Sequence, residues 1–128
     1  MTSNVFQFVP FKKVGTVISP KVSGDSLTLS GSLSLPIVTK VYADSPYTVT
    51  ALNHTILCNA VSGNMTINLP TAVGISGRIY NIKKIDTGTN TVTIDANGSE
   101  TIDGYLTVVI SDKSNICIQS DGSNWQVI

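Results

Sequence analysis

Short runs in which hydrophobic and polar residues alternate dominate the chain from Tyr47 onward. Alternation with a period of two is typical of a strand that buries one of its faces. The pattern predicts eight strands, over residues 47–50, 55–59, 65–69, 78–85, 91–95, 106–111, 115–119 and 125–128. Turn sequences separate nearly all of them, among them Asn97-Gly98, Asp103-Gly104 and Asp121-Gly122, which supply the positive φ that tight hairpin turns require.

The number and the spacing of these strands predict an all-β fold, an antiparallel β-sandwich or jelly-roll-like domain over residues 41–128. Helix is not expected to contribute, because serine, threonine and asparagine fill the polar positions and Glu100 is the only glutamate. The single tryptophan, Trp125, alternates with Gln126 and precedes Val127, as a core-facing strand residue would. We therefore place Trp125 in the core of the β-domain.

A further alternating stretch precedes the β-domain. Threonine and serine alternate there with four leucines, Leu27, Leu29, Leu33 and Leu35. This pattern predicts a strand with one apolar face, which an isolated strand cannot bury within a monomer. We therefore predict that the four leucines pack against symmetry mates in a homo-trimer, with packing against a partner protein as the alternative.

The N-terminus concentrates aromatic residues, since all three phenylalanines lie within the first eleven positions. The segment has no helical period and contains Pro10, so it is expected to be extended. An exposed apolar patch near a chain end usually marks an interface. We predict that residues 1–40 form an extended arm and trimerisation segment that anchors the protein to a partner through Phe6, Phe8, Val9 and Phe11.

Charge and hydropathy disfavour two classes of partner. Eight Lys and Arg residues balance eight Asp and Glu residues, and 12% of the chain is charged, so no strong surface field would attract nucleic acid. No stretch approaches the roughly 20 uninterrupted apolar residues of a membrane-spanning helix. Lys12 and Lys13 follow the N-terminal apolar patch instead of preceding it, unlike the charges of a secretory signal. We expect neither nucleic acid nor a membrane as a partner.

Six segments in a fixed order carry a resemblance to a known family. They are YTVT at 47–50, INLP at 67–70, GRIYNIKK at 77–84, NTVTID at 90–95, GSETIDG at 98–104 and QSDGSNW at 119–125. Over residues 46–128 the chain resembles a β-domain that recurs in bacteriophage tail fibres, appendages and head-attached proteins. The resemblance implies a β-rich domain, usually trimeric, that is carried on virion components assembled in the host cytoplasm and has no chemistry of its own.

The first forty residues lie outside the resemblance, and the chain contains no long repetitive shaft. We therefore expect a capsid decoration (cement) or head-fibre protein whose partner is the major capsid protein. The alternative is a tail-fibre, neck or baseplate appendage whose β-domain binds a cell-surface glycan. Tyr105 and Arg78 are the candidate glycan contacts, because a saccharide site needs exposed aromatic side chains beside polar groups in a groove.

We predict no catalytic residue, no metal site and no cofactor. His54 is the only histidine, and no nucleophile elbow or other local catalytic signature accompanies it. The acidic stretch over 95–103 lacks the EF-hand pattern, and its side chains are typical of a polar hairpin that caps its own turns. Spacing alone leaves open a Ser-His-Asp site, or hydrolysis by Glu100 paired with Asp95 or Asp103.

The two cysteines, Cys58 and Cys117, lie about sixty residues apart within strand-like runs. This spacing fits neither a metal motif nor a dense disulfide framework. We interpret both as small buried hydrophobic residues with free thiols. A disulfide between them is the alternative, since the sequence does not show how far apart they lie in space.

Overall fold

The structure is a computed structural model that describes residues 31–128, and β-strands make up most of its regular structure. A short 3-10 helix, Tyr42–Asp44, also lies among the described residues. The strands are β1 (Ile37–Val41), β2 (Tyr47–Thr48), β3 (Thr55–Asn59), β4 (Met65–Asn68), β5 (Ile79–Lys84), β6 (Val92–Asp95), β7 (Thr107–Ile110), β8 (Asn115–Ser120) and β9 (Trp125–Val127). The all-β prediction is confirmed, and each of the eight predicted strands has a counterpart. β1 is the strand that the prediction lacked.

The chain alternates between two sheets for its first six strands. β1, β3 and β5 are parallel neighbours in a five-stranded sheet, and β2, β4 and β6 are parallel neighbours in a four-stranded sheet. Each pass through both sheets is one coil, so three coils stack on one another. Antiparallel strands complete both sheets, in the orders β1-β3-β5-β8-β9 and β2-β4-β6-β7.

The register of the strands aligns their buried side chains in rows. In the five-stranded sheet, Ile82 pairs with Ile56 on one side and with Ile116 on the other. In the four-stranded sheet, Ile67 pairs with Ile94. All five isoleucines are buried and belong to a single core cluster that draws on both sheets. Burial of each such side chain contributes roughly 1.5 to 3 kcal/mol to folding.

The antiparallel part of the fold prediction is wrong, and the turns explain why. A two-residue turn with positive φ joins antiparallel neighbours, as Asp103-Gly104 does between Ile102 and Tyr105. The turns that follow β3 and β5 instead carry the chain into the other sheet. The first four strands, β1 to β4, therefore each pair with the strand two places later in the sequence, which runs in the same direction. A jelly roll is built from antiparallel strands, so that arrangement is not confirmed.

The predicted N-terminal arm falls largely outside the described residues. The anchoring and trimer-packing residues that lie outside them are Phe6, Phe8, Val9, Phe11, Leu27 and Leu29. One compact unit extends from Ser34 to Ile128. β1 crosses the predicted domain boundary between residues 40 and 41, and it pairs with β3 along its whole length. Between residues 31 and 128, no helix has the length and the apolar character needed to cross a membrane.

Trp125 and Tyr80 form an aromatic pair at the centre of the core. Trp125 is completely buried, as the sequence predicts, and its ring centroid lies 5.5 Å from that of Tyr80. The Tyr80 hydroxyl donates a hydrogen bond to the carbonyl of Thr50 at 3.3 Å. Burial raises the pKa of Tyr80, and the positive charge of Arg78 partly offsets this effect. The pair thereby connects β9 and β5 with the loop that follows β2.

A buried ion pair lies at the end of β5. Lys84 has no exposed surface, and its Nζ lies 2.6 Å from Asp86 Oδ1, 3.0 Å from the Asp86 carbonyl oxygen and 2.9 Å from that of Gly88. All three N–H groups of the ammonium therefore have an acceptor. Asp86 also accepts the backbone N–H groups of Ala60 at 2.7 Å and of Gly88 at 2.9 Å. Because Ala60 directly follows β3, the pair links one coil to the next.

Both cysteines carry free thiols, which confirms that they do not form a disulfide. Cys58 lies on the core face of β3 and is buried, whereas Cys117 is half-buried on the outer face of β8. The interpretation of Cys117 as a core residue is therefore wrong, because it shares its face with Asn115 and not with Ile116. Burial raises the pKa of Cys58 to about 12.

Replacing Asp86 with asparagine should destabilise the fold by about 3 to 5 kcal/mol at pH 7, because the buried Lys84 ammonium loses its carboxylate. Desolvation raises the pKa of Asp86, but hydrogen bonds from Lys84, Ala60 and Gly88 outweigh it, so this pKa lies below its usual value. The wild-type advantage should therefore be complete above the unfolded-state pKa of about 4 and disappear as the pH falls through the lower folded-state pKa. Urea unfolding of both proteins across this pH range measures the difference.

Asp112→Asn is the matched control for this prediction, because Asp112 is exposed and its side chain has no hydrogen-bond partner among the described residues. It should change the free energy of unfolding by no more than about 0.5 kcal/mol. Equal urea midpoints for Asp86→Asn and Asp112→Asn at pH 7 would show that the ion pair does not stabilise the fold.

Iodoacetamide at pH 8 should alkylate Cys117 in the folded protein and leave Cys58 unmodified. The high pKa keeps Cys58 as the thiol, whereas the thiolate is the nucleophile, and the core excludes the reagent. Peptide mass mapping with and without urea measures the two rates. Equal rates in the absence of urea would contradict the placement of Cys58.

Candidate functional site

An open groove of about 490 Å³ lies where the three parallel strands of the five-stranded sheet begin. Three segments line it, each just ahead of or at the start of a strand. They are 35–36 before β1, 51–54 before β3 and 77–79 at β5. Parallel strands begin at the same end of a sheet, so the winding of the chain brings these segments together. The groove is thus a product of the coiled topology.

Asn53 fixes the loop that forms the middle of the groove. Its Oδ1 accepts hydrogen bonds from the Tyr47 hydroxyl at 3.0 Å, the Thr50 N–H at 2.8 Å and the Thr50 hydroxyl at 3.1 Å. The bond from Tyr80 to the Thr50 carbonyl holds the same loop. Leu52 lies on this loop and is 82% exposed. A large apolar side chain is therefore presented to solvent on a loop that several hydrogen bonds hold in place.

Arg78 supplies the positive charge of the groove. Its Nη1 donates to the Ala51 carbonyl at 3.1 Å, which ties the guanidinium to the Leu52 loop. Its backbone N–H donates to Ile75, and its carbonyl accepts from Ser120. No carboxylate of residues 31–128 lies within ion-pair distance of Arg78. The hydrogen bond to Ala51 uses one of the five guanidinium N–H groups, so most of its donor capacity is left for an external acceptor.

His54 is the other titratable residue that lines the groove. Its Nδ1 lies 3.0 Å from the Thr55 hydroxyl, and no aspartate, glutamate, serine or cysteine lines the groove beside it. Within the described part of the chain, no three His, Cys, Asp or Glu side chains are grouped so that they could hold a metal ion. The groove therefore offers an apolar surface with one cation and one imidazole.

Two of the three acidic side chains of the 95–103 stretch, Glu100 and Asp103, bind segments outside it. Glu100 accepts hydrogen bonds from the Thr71 hydroxyl and from the Ala72 N–H. Asp103 Oδ1 accepts the Val127 N–H at 2.9 Å. These two carboxylates connect the C-terminal half of the domain with the loop after β4 and with β9. Both carboxylates accept backbone N–H groups, as predicted for capping side chains. The N–H groups belong to other segments, however, and not to the hairpin that carries the carboxylates.

The two candidate glycan contacts lie in different places on the surface. Arg78 lines the groove, whereas Tyr105 lies in the turn before β7, is 70% exposed and does not line the groove. The nine residues that line the groove include no phenylalanine, tyrosine or tryptophan. A sugar bound there would thus have no aromatic ring on which to stack.

The leucines predicted to pack in a trimer reach solvent where the structure describes them. Residues 31–36 form no strand, so the strand predicted there is not confirmed at Leu33 and Leu35. Leu33 is 66% exposed and Leu35 is 46% exposed. Ile37 continues the same alternation and is 64% exposed, although the prediction did not include it. We call Leu33, Leu35 and Ile37 the apolar stripe. Leu35 also lines the groove, so the stripe and the groove share a residue.

Other members of the groove, Leu52 and Ile79 above all, were not predicted as site residues. Leu52 has one sequence signal, since it is a large apolar residue inside a polar loop between two strands. Comparison with known proteins adds no further site residue, because no protein-family model matches the chain and no curated protein matches its sequence. The groove and the stripe are therefore the features from which a function can be inferred.

Replacing Leu52 with serine should change the free energy of unfolding by no more than about 0.5 kcal/mol, because this side chain contributes to the surface and not to the core. Ile82→Ala, at a fully buried position, should by comparison cost about 2 to 5 kcal/mol. Urea unfolding of the two variants provides the test. A loss above 1 kcal/mol for Leu52→Ser would show that the loop depends on this side chain.

Proposed function

We propose that this chain is a non-enzymatic structural subunit of a bacteriophage particle, a trimeric capsid decoration (cement) or head-fibre protein. The observation that carries the proposal is the apolar stripe, whose three side chains are 46% to 66% exposed. Exposed large apolar side chains that recur at alternate positions usually mark an interface. With 12% charged residues and no net charge, the chain has little electrostatic protection against self-association.

The residues that carry the resemblance to phage β-domains support the same proposal, because several of them build the fold. Its six segments include Lys84, Glu100 and Trp125. These residues form the buried ion pair, the bonds to the loop after β4 and the aromatic centre of the core. A resemblance carried by residues that build the fold favours a shared architecture over a shared reaction. We accordingly propose that the two sheets and their common core serve as a sandwich-like display domain.

Attachment to the particle is assigned to the N-terminal arm, through Phe6, Phe8, Val9 and Phe11. Burial of the three phenylalanines favours binding, while the conformational entropy lost on ordering the arm opposes it. One arm would therefore bind the major capsid protein weakly. Three arms on one trimer bind together through their high effective concentration, which makes trimerisation part of the anchoring mechanism.

A tail-fibre, neck or baseplate appendage that binds a glycan is the alternative function. The groove does not favour it, because Tyr105 lies elsewhere and none of the lining residues is a phenylalanine, tyrosine or tryptophan. The number of copies per particle separates the two functions. A decoration protein covers the head lattice, whereas an appendage is present in a few copies.

Quantitative mass spectrometry of purified phage particles should find this chain in numbers comparable to the major capsid protein. The triple variant Phe6→Ser, Phe8→Ser, Phe11→Ser should be largely absent from particles, because each substitution removes apolar surface from the arm. The triple variant Ser23→Ala, Ser26→Ala, Ser30→Ala changes as many residues of the same segment and should be incorporated normally.

A count of only a few copies per particle would favour the tail or neck appendage. Normal incorporation of the phenylalanine variant would contradict anchoring by the arm. Absence of the chain from purified particles would contradict the proposed function as a whole.

A further inference from the structure

We infer that the groove of one subunit is a docking site for residues 25–35 of a second copy of this chain, with Arg78 paired to the second copy's Asp25. The inference rests on the proposed trimer and specifies the contact that holds it together. It makes the groove a protein-binding site for a leucine-rich strand with one carboxylate.

Asp25 stands out among the residues that precede the β-domain. It is the only acidic residue before Asp44. Its position is odd, like those of the alternating residues Leu27, Leu29, Leu33 and Leu35. Alternate residues of a strand share a face, so the pattern assigns the carboxylate to the apolar face. When that face is buried in an interface, the carboxylate requires a cation, because an unpaired buried charge is strongly unfavourable.

The groove has the complementary chemistry. Leu52, Ile79 and Pro36 provide an apolar wall, and Arg78 provides the cation. Arg78 has no ion-pair partner among residues 31–128, and its planar guanidinium can bind both oxygens of a carboxylate. Arg78 is half-buried and held by Ala51, so the charge is fixed at the edge of the apolar wall. A strand that presents leucines and one carboxylate on the same face matches both features.

The exposure of the stripe indicates that the docked strand comes from another copy. Leu35 lines the groove of its own chain and is nevertheless 46% exposed, and Ile37 is 64% exposed. The groove therefore leaves its own stripe accessible to a neighbour. A contact between the strand of one copy and the groove of the next is heterologous, and such contacts form a closed ring when the rotation between copies closes. Three copies would give the proposed trimer.

Charge exchange tests the pairing directly. Arg78→Asp and Asp25→Arg should each weaken trimer formation roughly tenfold to 100-fold, since each places like charges opposite one another. The double variant should restore association to within a few-fold of wild type. Lys113→Asp, the same charge change on an exposed loop, should leave association unchanged. Sedimentation velocity over a range of concentrations measures all four variants, with circular dichroism to verify folding.

A trimer that is insensitive to both single substitutions would overturn the inference while leaving the proposed trimer intact. A wild-type chain that stays monomeric at every concentration would overturn both. Incorporation of the chain into particles is measured separately, so its failure is distinguishable from either result.

Cross-linking decides the question even if a charge variant does not fold. In a Cys117→Ser background, a chain with Asp25→Cys is mixed with a chain carrying Arg78→Cys and treated with a short bismaleimide. Linked dimers that contain one chain of each kind would support docking between copies. A chain that carries both Asp25→Cys and Arg78→Cys in the same background is treated in the same way. Linkage only within single chains of this double variant, with none between mixed chains, would show that each groove binds its own strand and would overturn the inference.

Discussion

The coiled arrangement depends on the buried contact between Lys84 and Asp86. A parallel coil has no hairpin turn to set its register, so the passage between sheets must be held by other bonds. Asp86 binds the backbone after β3 and the ammonium at the end of β5, and Lys84 binds the turn that leads to β6. Burial of a charge is costly without full pairing. Here every N–H group of the ammonium has an acceptor, and the result is a fixed link between consecutive coils.

The sequence predicted where the strands lie better than how they pair. Period-two alternation and turn residues predicted eight strands. They did not predict β1, because Ile37 and Val38 are adjacent apolar residues that interrupt the alternation. The same turn residues occur in hairpins and in passages between sheets, so pairing direction could not be inferred from them. A charged residue such as Lys84 is unusual in a core, yet its parity with Tyr80 and Ile82 matches the core face.

The candidate site was predictable only in part, for a topological reason. Leu33 and Leu35 could be recognised because exposed alternation is a local pattern, which the chain displays in consecutive residues. The groove combines the starts of three strands that are distant in sequence, and nothing local connects Leu35 with Leu52 or Arg78. A prediction that assumes hairpins places an antiparallel strand between each two of these strands and so keeps their starts apart. Only parallel winding makes the three strands direct neighbours in one sheet.

The two ends of the stack of coils differ in whether parallel strands can be added to them. β1 and β2 are the first strands and also the edges of the two sheets at one end, whereas the antiparallel β7 and β9 are the edges at the other. A preceding chain could add coils beside β1 and β2 in the same direction, but the reversal at the far end stops such growth. The domain is thus polar: β1 and β2 present edges that run parallel to the rest of their sheets, whereas β7 and β9 present antiparallel edges.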